Sequence, residues 1–253
     1  MKHMISIGKQ TQAVNEYLER DFYLNLNALC YLSNFSDADV YLYNDDIENG
    51  LIIGDEEQDF FYLCTYDPGF LSEFWEMLPP GHKCFSGVPK PIADIFLNDK
   101  RIVWDNPCKG YALKGEYVPV VNARYVEDTL TAADAEEVNE YYTFKSEDSL
   151  EHIRESITQR DSSCVRIGSR LAAWCAVHPE DSSMGPLFTK EEFRGLGLAA
   201  LVTSRLMGKL IAKDCLPYMQ ILEDNNVSMH VADKISGMAY THDCIWFGVN
   251  KTI

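Results

Sequence analysis

The sequence has no apolar run long enough to cross a membrane, since a transmembrane helix needs about 20 consecutive apolar residues. Its N-terminus, MKHMISIGKQ, also lacks the charged, apolar and small-residue regions of a secretory signal peptide. We therefore expect a cytoplasmic protein with no membrane partner. With 253 residues, 46% of them apolar, the chain can bury a sizeable core without cross-links.

Basic residues are scarce, because 22 Lys and Arg stand against 39 Asp and Glu, which gives a formal net charge of −17. Binding to nucleic acid needs clustered Lys and Arg that neutralise phosphates, so this charge argues against a nucleic-acid partner. An acidic surface would concentrate cationic amines, and it would equally serve only to keep the protein soluble. The charge thus excludes one class of partner without selecting another.

The eight cysteines form no metal or disulfide pattern. The sequence contains no CxxC pair and no histidine at zinc-finger spacing, so we predict no metal site. Cys64, Cys164 and Cys175 lie in apolar, strand-like runs, where a reduced cysteine behaves as a small hydrophobe. Neither Cys175 nor Cys215 has a nearby histidine that would activate a nucleophile. We predict structural thiols.

In the N-terminal half, short strands and helices alternate, which predicts an α/β fold of mixed layers. Apolar residues at helical spacing predict one long helix from Gln10 to about Leu32. Two strands then follow, joined at Asn49-Gly50, which is a strong signal for a tight turn. Asp67 and Pro68 begin the next helix as its cap and first residue. Residues 106–110 predict a turn, and a domain boundary is expected after residue 118.

In the second half the predicted element order is β-α-α-β-β-β-α-β-α-β. The first strand is expected at Ala123–Val126, and the second helix of this half at Ser146. A long helix follows from about Gly197 to Lys213, and a strand begins at Ala239.

The most informative segment runs from Leu187 to Ala199, where a strand enters a glycine-rich turn that begins a helix. Glycines let the backbone approach a ligand closely, and a helix start offers unpaired N–H groups and a positive dipole end. Arg194 can add a charge-assisted contact, so the segment predicts a phosphate-binding turn. No Gly-Lys-Ser/Thr follows, which excludes a Walker A loop, and the third glycine of a Rossmann fingerprint is missing. A glycine turn without any ligand is the alternative.

The turn Arg194-Gly195-Leu196-Gly197-Leu198-Ala199 resembles the R/Q-x-x-G-x-G/A signature of the GNAT superfamily of N-acetyltransferases. Downstream, Asn225 and Ser228, followed by Lys234, Gly237 and Met238, look like the family's N-x-x-A/S…K-x-G-F segment. The resemblance covers about the last 130 residues. Within the superfamily it points to the glycine N-acyltransferase-like or FR47-like branch, in which a divergent, GNAT-like N-terminal domain precedes the catalytic one.

This resemblance implies a central mixed sheet flanked by helices, with a divergent α/β domain at 1–118 and an acyl-CoA-binding catalytic domain at 119–253. It implies direct transfer of an acetyl or short acyl group from acetyl-CoA, or another acyl-CoA, to a primary amine of a small molecule or amino acid, without a metal. Strand backbone would meet the pantetheine arm, the turn would hold the pyrophosphate, and the next helix start would contact the far side. The implied contacts are Leu187, Phe188, Thr189, Arg194, Gly195, Leu196, Gly197, Leu198, Ala199, Asn225 and Ser228.

For two of those residues, Asn225 and Ser228, plain helix capping is the alternative role. The family's thiolate-stabilising tyrosine is replaced by Ala232, for which Tyr218 or Tyr240 could substitute.

The strand entering the turn has no carboxylate to act as a base. The nearest acids are Glu180 and Asp181, and Glu223 follows the next strand; Glu180 and Glu223 are our catalytic candidates.

These departures keep two other functions open. One is a catalytically silent acyl-CoA-binding module, and the other is a protein N-acetyltransferase. The sequence indicates no oligomeric state.

Overall fold

A computed structural model of the protein describes residues 5–55, 59–98 and 100–252. The elements, in chain order, are β1 (Ile5–Gly8), α1 (Gln12–Arg20), α2 (Leu26–Asn34), β2 (Asp39–Tyr43), β3 (Asp46–Asp55), β4 (Phe60–Cys64), α3 (Pro68–Met77), β5 (Gly81–Pro89), α4 (Lys90–Phe96), β6 (Ile102–Leu113), α5 (Ala135–Glu140), α6 (Ser149–Gln159), β7 (Ser163–Ile167), β8 (Arg170–Val177), β9 (Met184–Thr189), α7 (Leu198–Ile211), β10 (Tyr218–Leu222), α8 (Asn226–Lys234) and β11 (Met238–Lys251). Short 3₁₀ turns precede α5 and follow β9.

The chain folds into two compact units. The first contains Met1–Gly110 together with Thr241–Ile253, and the second contains Tyr111–Tyr240. Residues 241–252 therefore return to the first unit, so β6 and β11 each change unit along their length. The predicted domain boundary after residue 118 stays a prediction.

The first unit is a mixed sheet between two helical layers. Its strands follow the order β1-β2-β3-β4-β5-β11-β6, with β4 and β5 parallel. Strand side chains alternate between the two faces. Ile52 packs into the cluster under α3 and α4, whereas its neighbours Leu51 and Ile53 pack into the cluster under α1 and α2.

The second unit contains the antiparallel sheet β7-β8-β9, also covered on both faces. Ala173 and Cys175 pack against α7, while Trp174 between them packs against α5 and α6. Strand β10 pairs with the end of β6, next to which the Leu113 amide donates to the carbonyl of Pro217 (3.0 Å). The predicted mixed sheet flanked by helices is confirmed.

The predicted turn at Asn49-Gly50 is wrong, although the hairpin forms. The chain reverses at Asn44 and Asp45, whose φ angles are 57° and 55°. Gly50 instead lies in an irregular part of β3, where its φ is 91° and an added Cβ would come within 2.4 Å of the Thr65 Cβ. Close packing on β4 therefore requires this glycine, and a local turn signal is blind to that contact.

The predicted helix from Gln10 to Leu32 is also wrong, because it divides into α1 and α2. Asn25 stands in the break, and its Nδ2 donates to the carbonyl of Leu18 (3.0 Å) near the end of α1. The apolar stripe continues across this break, so periodicity alone predicts a single helix.

Three further boundaries differ from the prediction. Residues 106–110 do not form a turn but continue β6. Gly110 packs closely on β11 there, because an added Cβ would lie 2.7 Å from the Thr241 hydroxyl oxygen. The predicted strand at 123–126 is a loop, whose carbonyl at Val126 accepts from Arg205 (3.2 Å). Helix α6 begins at Ser149 instead of Ser146.

Candidate functional site

The glycine-rich turn between β9 and α7 contains two glycines in the left-handed region, with φ of 78° at Gly195 and 74° at Gly197. A Cβ added to either glycine would meet no atom within 4 Å. Packing therefore does not require glycine at these positions. The backbone conformation does, and it leaves open space in front of the turn.

Helix α7 presents unpaired amides to that space. Its first backbone bond joins the Leu201 amide to the Gly197 carbonyl (3.2 Å), so the amides of Leu198, Ala199 and Ala200 have no partner inside the helix. The helix dipole adds partial positive charge at the same end. An anion with several oxygens, such as a diphosphate, suits this arrangement.

The Arg194 side chain is exposed and held only weakly. Its Nε lies 3.4 Å from the Thr189 carbonyl oxygen, and its Nη1 lies 3.4 Å from a carboxylate oxygen of Glu191. Both contacts are long for charge-assisted hydrogen bonds, which are typically about 2.7–2.9 Å. The guanidinium is therefore free to turn towards an anion bound at the start of α7.

Strands β9 and β10 start side by side but do not form a ladder. The Tyr218 hydroxyl, at the start of β10, donates to the main-chain oxygen of Asp181, just before β9. Yet β9 pairs with β8, whereas β10 pairs with β6 in the other sheet. Within the described residues, no ladder of hydrogen bonds joins β9 to β10. One edge of β9 therefore offers unpaired backbone groups to a ligand.

The side chains of β9 anchor the strand. Leu187 packs against the α7 face, while Phe188 packs on the opposite face against Trp174 and Tyr141, with ring centroids 5.2 and 4.8 Å apart. The Thr189 hydroxyl is buried and has no hydrogen-bond partner in the described part of the chain. Because the side chains of Leu187 and Phe188 serve packing, β9 can offer mainly backbone groups in the gap, and their contact with a cofactor stays a prediction.

The helix start after β10 is capped by its own side chain. Asn225 Oδ1 accepts from the Ser228 amide (3.0 Å), so the capping role of Asn225 is observed, whereas contact with a cofactor stays a prediction. Ala232, where the family has its tyrosine, is fully buried in the core. A larger side chain at this position would have to displace core residues.

The two candidate catalytic carboxylates lie apart. Glu180 is half-buried in the turn that joins β8 to β9, and Glu223 is exposed beyond the end of β10. The five residues of β10 span roughly 16 Å, at about 3.3 Å per residue. Since β10 begins beside the β8–β9 turn, the structure does not bring these two acids together.

Asp181, which the sequence places beside Glu180, is buried in the structure. Only 1% of the residue is exposed, and its Oδ1 accepts from the amide and hydroxyl of Ser183 (3.0 and 2.7 Å). Its Oδ2 is buried without a partner among the described residues. The spacing of an aspartate two residues before a serine in a turn indicates such a local bond, but only the structure reveals the burial.

The tyrosines that could replace the missing one differ in setting. Tyr218 is buried, and its hydroxyl proton is engaged with the Asp181 carbonyl. Tyr240 is 46% exposed and meets Tyr111 edge to face, with 6.2 Å between ring centroids. Neither has an assigned role.

Within residues 5–55, 59–98 and 100–252, no group of three or more histidine, cysteine or acidic side chains could hold a metal ion. No helix in these ranges is long and apolar enough to cross a membrane. None of the eight cysteines forms a disulfide bond. Burial raises the pKa of the Cys175 thiol to about 12, and burial first, then nearby acidic groups, raises that of Cys164 to about 12.

Comparison with known proteins defines the class. A Drosophila protein of known crystal structure superposes with a TM-score of 0.70 at 15% identity, covering 97% of this chain and 98% of its own. A GCN5-related N-acetyltransferase from Sphaerobacter thermophilus gives 0.57 at 11%, covering 98% and 97%, and a GNAT-family acetyltransferase from Colwellia psychrerythraea gives 0.56 at 10%, covering 97% and 100%. The chain therefore has the fold of the GNAT acetyltransferases.

The sequence comparison narrows this class. Residues 164–247, which include β9, the glycine turn, α7 and β10, match the family model of FR47-like proteins. No curated protein matches the chain significantly in sequence. The predicted resemblance to the GNAT superfamily and its FR47-like branch is confirmed.

Proposed function

We propose that the protein is an acyl-CoA-dependent N-acyltransferase of the cytoplasm, which moves an acetyl or short acyl group to a primary amine of a small molecule or amino acid. One observation carries the proposal: the open glycine turn and the unpaired start of α7 follow directly on the free edge of β9. A diphosphate and an extended amide-bearing arm need those two features next to each other.

In this proposal each part of the site binds one part of the acyl-CoA. Arg194 and the first amides of α7 hold the diphosphate. Backbone groups of Leu187 and Thr189 pair with the pantetheine amides. The open space in front of Gly195 and Gly197 supports the fit, because nothing there would obstruct a bulky anion.

The diphosphate end then determines where the chemistry takes place. The turn follows the end of β9, so the acyl end of the substrate points back towards the start of β9 and β10. Glu180 belongs to that end, whereas Glu223 follows the opposite end of β10. We therefore propose Glu180, rather than Glu223, as the base that takes the proton from the amine.

The neutral amine attacks the thioester carbonyl, a C–N bond forms, and the C–S bond breaks. The CoA thiolate leaves, and the proton removed from the amine restores the thiol. Backbone N–H groups at the edge of β9 would stabilise the developing oxyanion. The step needs no metal and no covalent enzyme intermediate.

Thermal melting tests the binding site. We expect saturating acetyl-CoA to raise the melting temperature of the wild type by about 5–10 °C, since ligand at 100 times Kd adds about 2.7 kcal/mol. Arg194→Ala should lose most of this shift. Arg154→Ala is the matched control, because Arg154 also pairs at i,i+3 with an exposed glutamate, Glu151, and should keep the shift. A wild type that does not respond to acetyl-CoA, longer acyl-CoAs or free CoA would contradict the proposal.

Release of free CoA with a panel of amines tests turnover. Glu180→Gln should lower kcat by about 100-fold, the lower range for loss of a general base, whereas Glu223→Gln should change it by less than about threefold. The reverse result would move the base to Glu223. Binding without turnover of any amine would favour a silent acyl-CoA-binding module, which the buried Ala232 supports. Turnover with lysine peptides alone would favour a protein acetyltransferase.

A further inference from the structure

The first unit contains a cavity of about 250 Å³ that the proposed acyl transfer does not use. Its walls come from the end of α1, the loop leading to α2, the end of β4, and the junction of β5 with α4. Pockets for drug-sized molecules measure about 300–1,000 Å³, so this cavity would take a smaller ligand.

Asn25, which lines this cavity, offers it a hydrogen-bond acceptor. Asn25 is only 7% exposed, and its Nδ2 donates to the Leu18 carbonyl (3.0 Å). A carbonyl only accepts hydrogen bonds, so the amide orientation is fixed by this contact. The other atom of the amide, Oδ1, receives no hydrogen bond from the described residues. This amide oxygen can therefore accept a hydrogen bond from a ligand in the cavity.

The charged side chains around the cavity favour a cationic ligand. Arg20 is already occupied, because its two terminal nitrogens donate to both carboxylate oxygens of Glu48 (2.6 and 2.7 Å). Asp21 has no ion pair within the part of the chain that the structure describes. The lining therefore carries one uncompensated negative charge, which attracts a cation and repels phosphates and carboxylates.

Two tyrosine rings complete the lining. Tyr17 is half-buried, with the Arg20 guanidinium 5.2 Å from its ring centroid, and Tyr66 is 49% exposed. Asp21 and Tyr66 line the same cavity, and burial first, then the Asp21 carboxylate, raises the pKa of Tyr66. Aromatic faces beside a carboxylate favour ammonium groups.

We infer that the N-terminal unit binds a small molecule with one primary ammonium group in this cavity. The three N–H donors of the ammonium match the Asp21 carboxylate and the Asn25 amide oxygen, while Tyr17 and Tyr66 cover its carbon chain. The inference does not rest on the proposed acyl transfer.

Titration calorimetry of the full chain with n-butylammonium tests the inference, with 1-butanol and butanoate as neutral and anionic molecules of similar size. Only the ammonium should bind. Asp21→Asn should weaken it by about tenfold, since it removes one close charge pair worth about 1.4 kcal/mol. Asp37→Asn is the matched control, because Asp37 is also an exposed aspartate in a loop after a helix, and it should leave affinity unchanged. Tyr66→Leu should weaken binding as well.

Amide chemical shifts separate this site from any amine site of the acyltransferase. Binding should move the signals of Asp21, Asn25 and Tyr66. Shifts confined to residues 111–240, equal binding of 1-butanol, no heat with n-butylammonium, or no effect of Asp21→Asn would each overturn the inference. Tetramethylammonium, which has no N–H donors, should bind at least tenfold more weakly, and equal affinity would also overturn it.

Discussion

A single carboxylate shows how individual residues stabilise the second unit. Asp134 accepts from two terminal nitrogens of Arg166 (3.0 and 2.8 Å) and from the Thr131 amide (2.7 Å). Burial opposes the charged form of Asp134, but the hydrogen bonds from Arg166 and Thr131 outweigh it and lower its pKa. The pair therefore stabilises the fold only while Asp134 is ionised.

The sign of the pH dependence follows. A carboxyl with a lowered pKa in the folded state contributes fully above its unfolded pKa of about 3.9, and this contribution falls as the pH drops through the lower folded value. We expect Asp134→Asn to reduce the free energy of unfolding by about 2 kcal/mol at neutral pH and by far less near pH 2. Urea unfolding at both pH values measures this. Glu151→Gln, from an exposed pair, should cost less than about 1 kcal/mol at either pH.

At the scale of elements, the turn before α7 has a left-handed backbone and is the proposed binding site of the diphosphate. Gly197 has a φ of 74° and open space around its Cβ position, and Gly168, in the β7–β8 turn, has a φ of 64° and the same open space. Alanine at either position should cost about 1–2 kcal/mol, because each forces a side chain into the left-handed region. Urea unfolding should show equal losses for Gly197→Ala and Gly168→Ala.

Only one of the two substitutions should affect the ligand. Gly197→Ala places a methyl group at the start of α7, where the diphosphate is proposed to lie, so acetyl-CoA should stabilise it less than Gly168→Ala. Equal ligand shifts in the two variants would mean that the turn binds nothing. The comparison removes the effect of stability, since both variants carry the same strain.

The sequence predicts elements well where local signals and tertiary contacts agree. Asp67 caps α3 as expected, accepting from the amides of Gly69 and Phe70, and the strand, turn and helix around Gly197 lie where the motif indicates. Prediction fails where a distant residue decides the conformation. Gly50 packs closely on Thr65, and Gly110 packs closely on Thr241. Neither contact is visible in the sequence around the glycine.

The same limit applies to the candidate site. Its proposed anion-binding part is one continuous segment, so residue types and spacing are enough to predict it. Its acid–base part depends on which strand starts beside which turn. The bond from Tyr218 to Asp181 holds the start of β10 near Glu180 and so leaves Glu223 beyond the far end of this strand. It joins residues 37 positions apart. No spacing rule within one sequence reveals such a bond.

At the scale of the whole molecule, the chain ends in the unit where it begins. Strand β11 pairs with β5 from Cys244↔Pro89 to Lys251↔Gly81. Phe247 is fully buried there, and its ring stacks on Phe85 with 4.9 Å between centroids. Residues 241–252 therefore supply core to the first unit, although the whole of the second unit separates them in sequence from residues 5–110.

This return predicts that a substitution near the C-terminus weakens the N-terminal unit. Phe247→Ala should lower the free energy of unfolding by about 3–5 kcal/mol, the usual cost of a buried phenylalanine. Hydrogen exchange should localise the loss of protection to β5. Ile102→Ala, at a 40% exposed position in β6, should cost less than about 1 kcal/mol. If Phe247→Ala left exchange in β5 unchanged, residues 241–252 would not be part of the core of the first unit. The two units would then be better described as two consecutive segments of the chain.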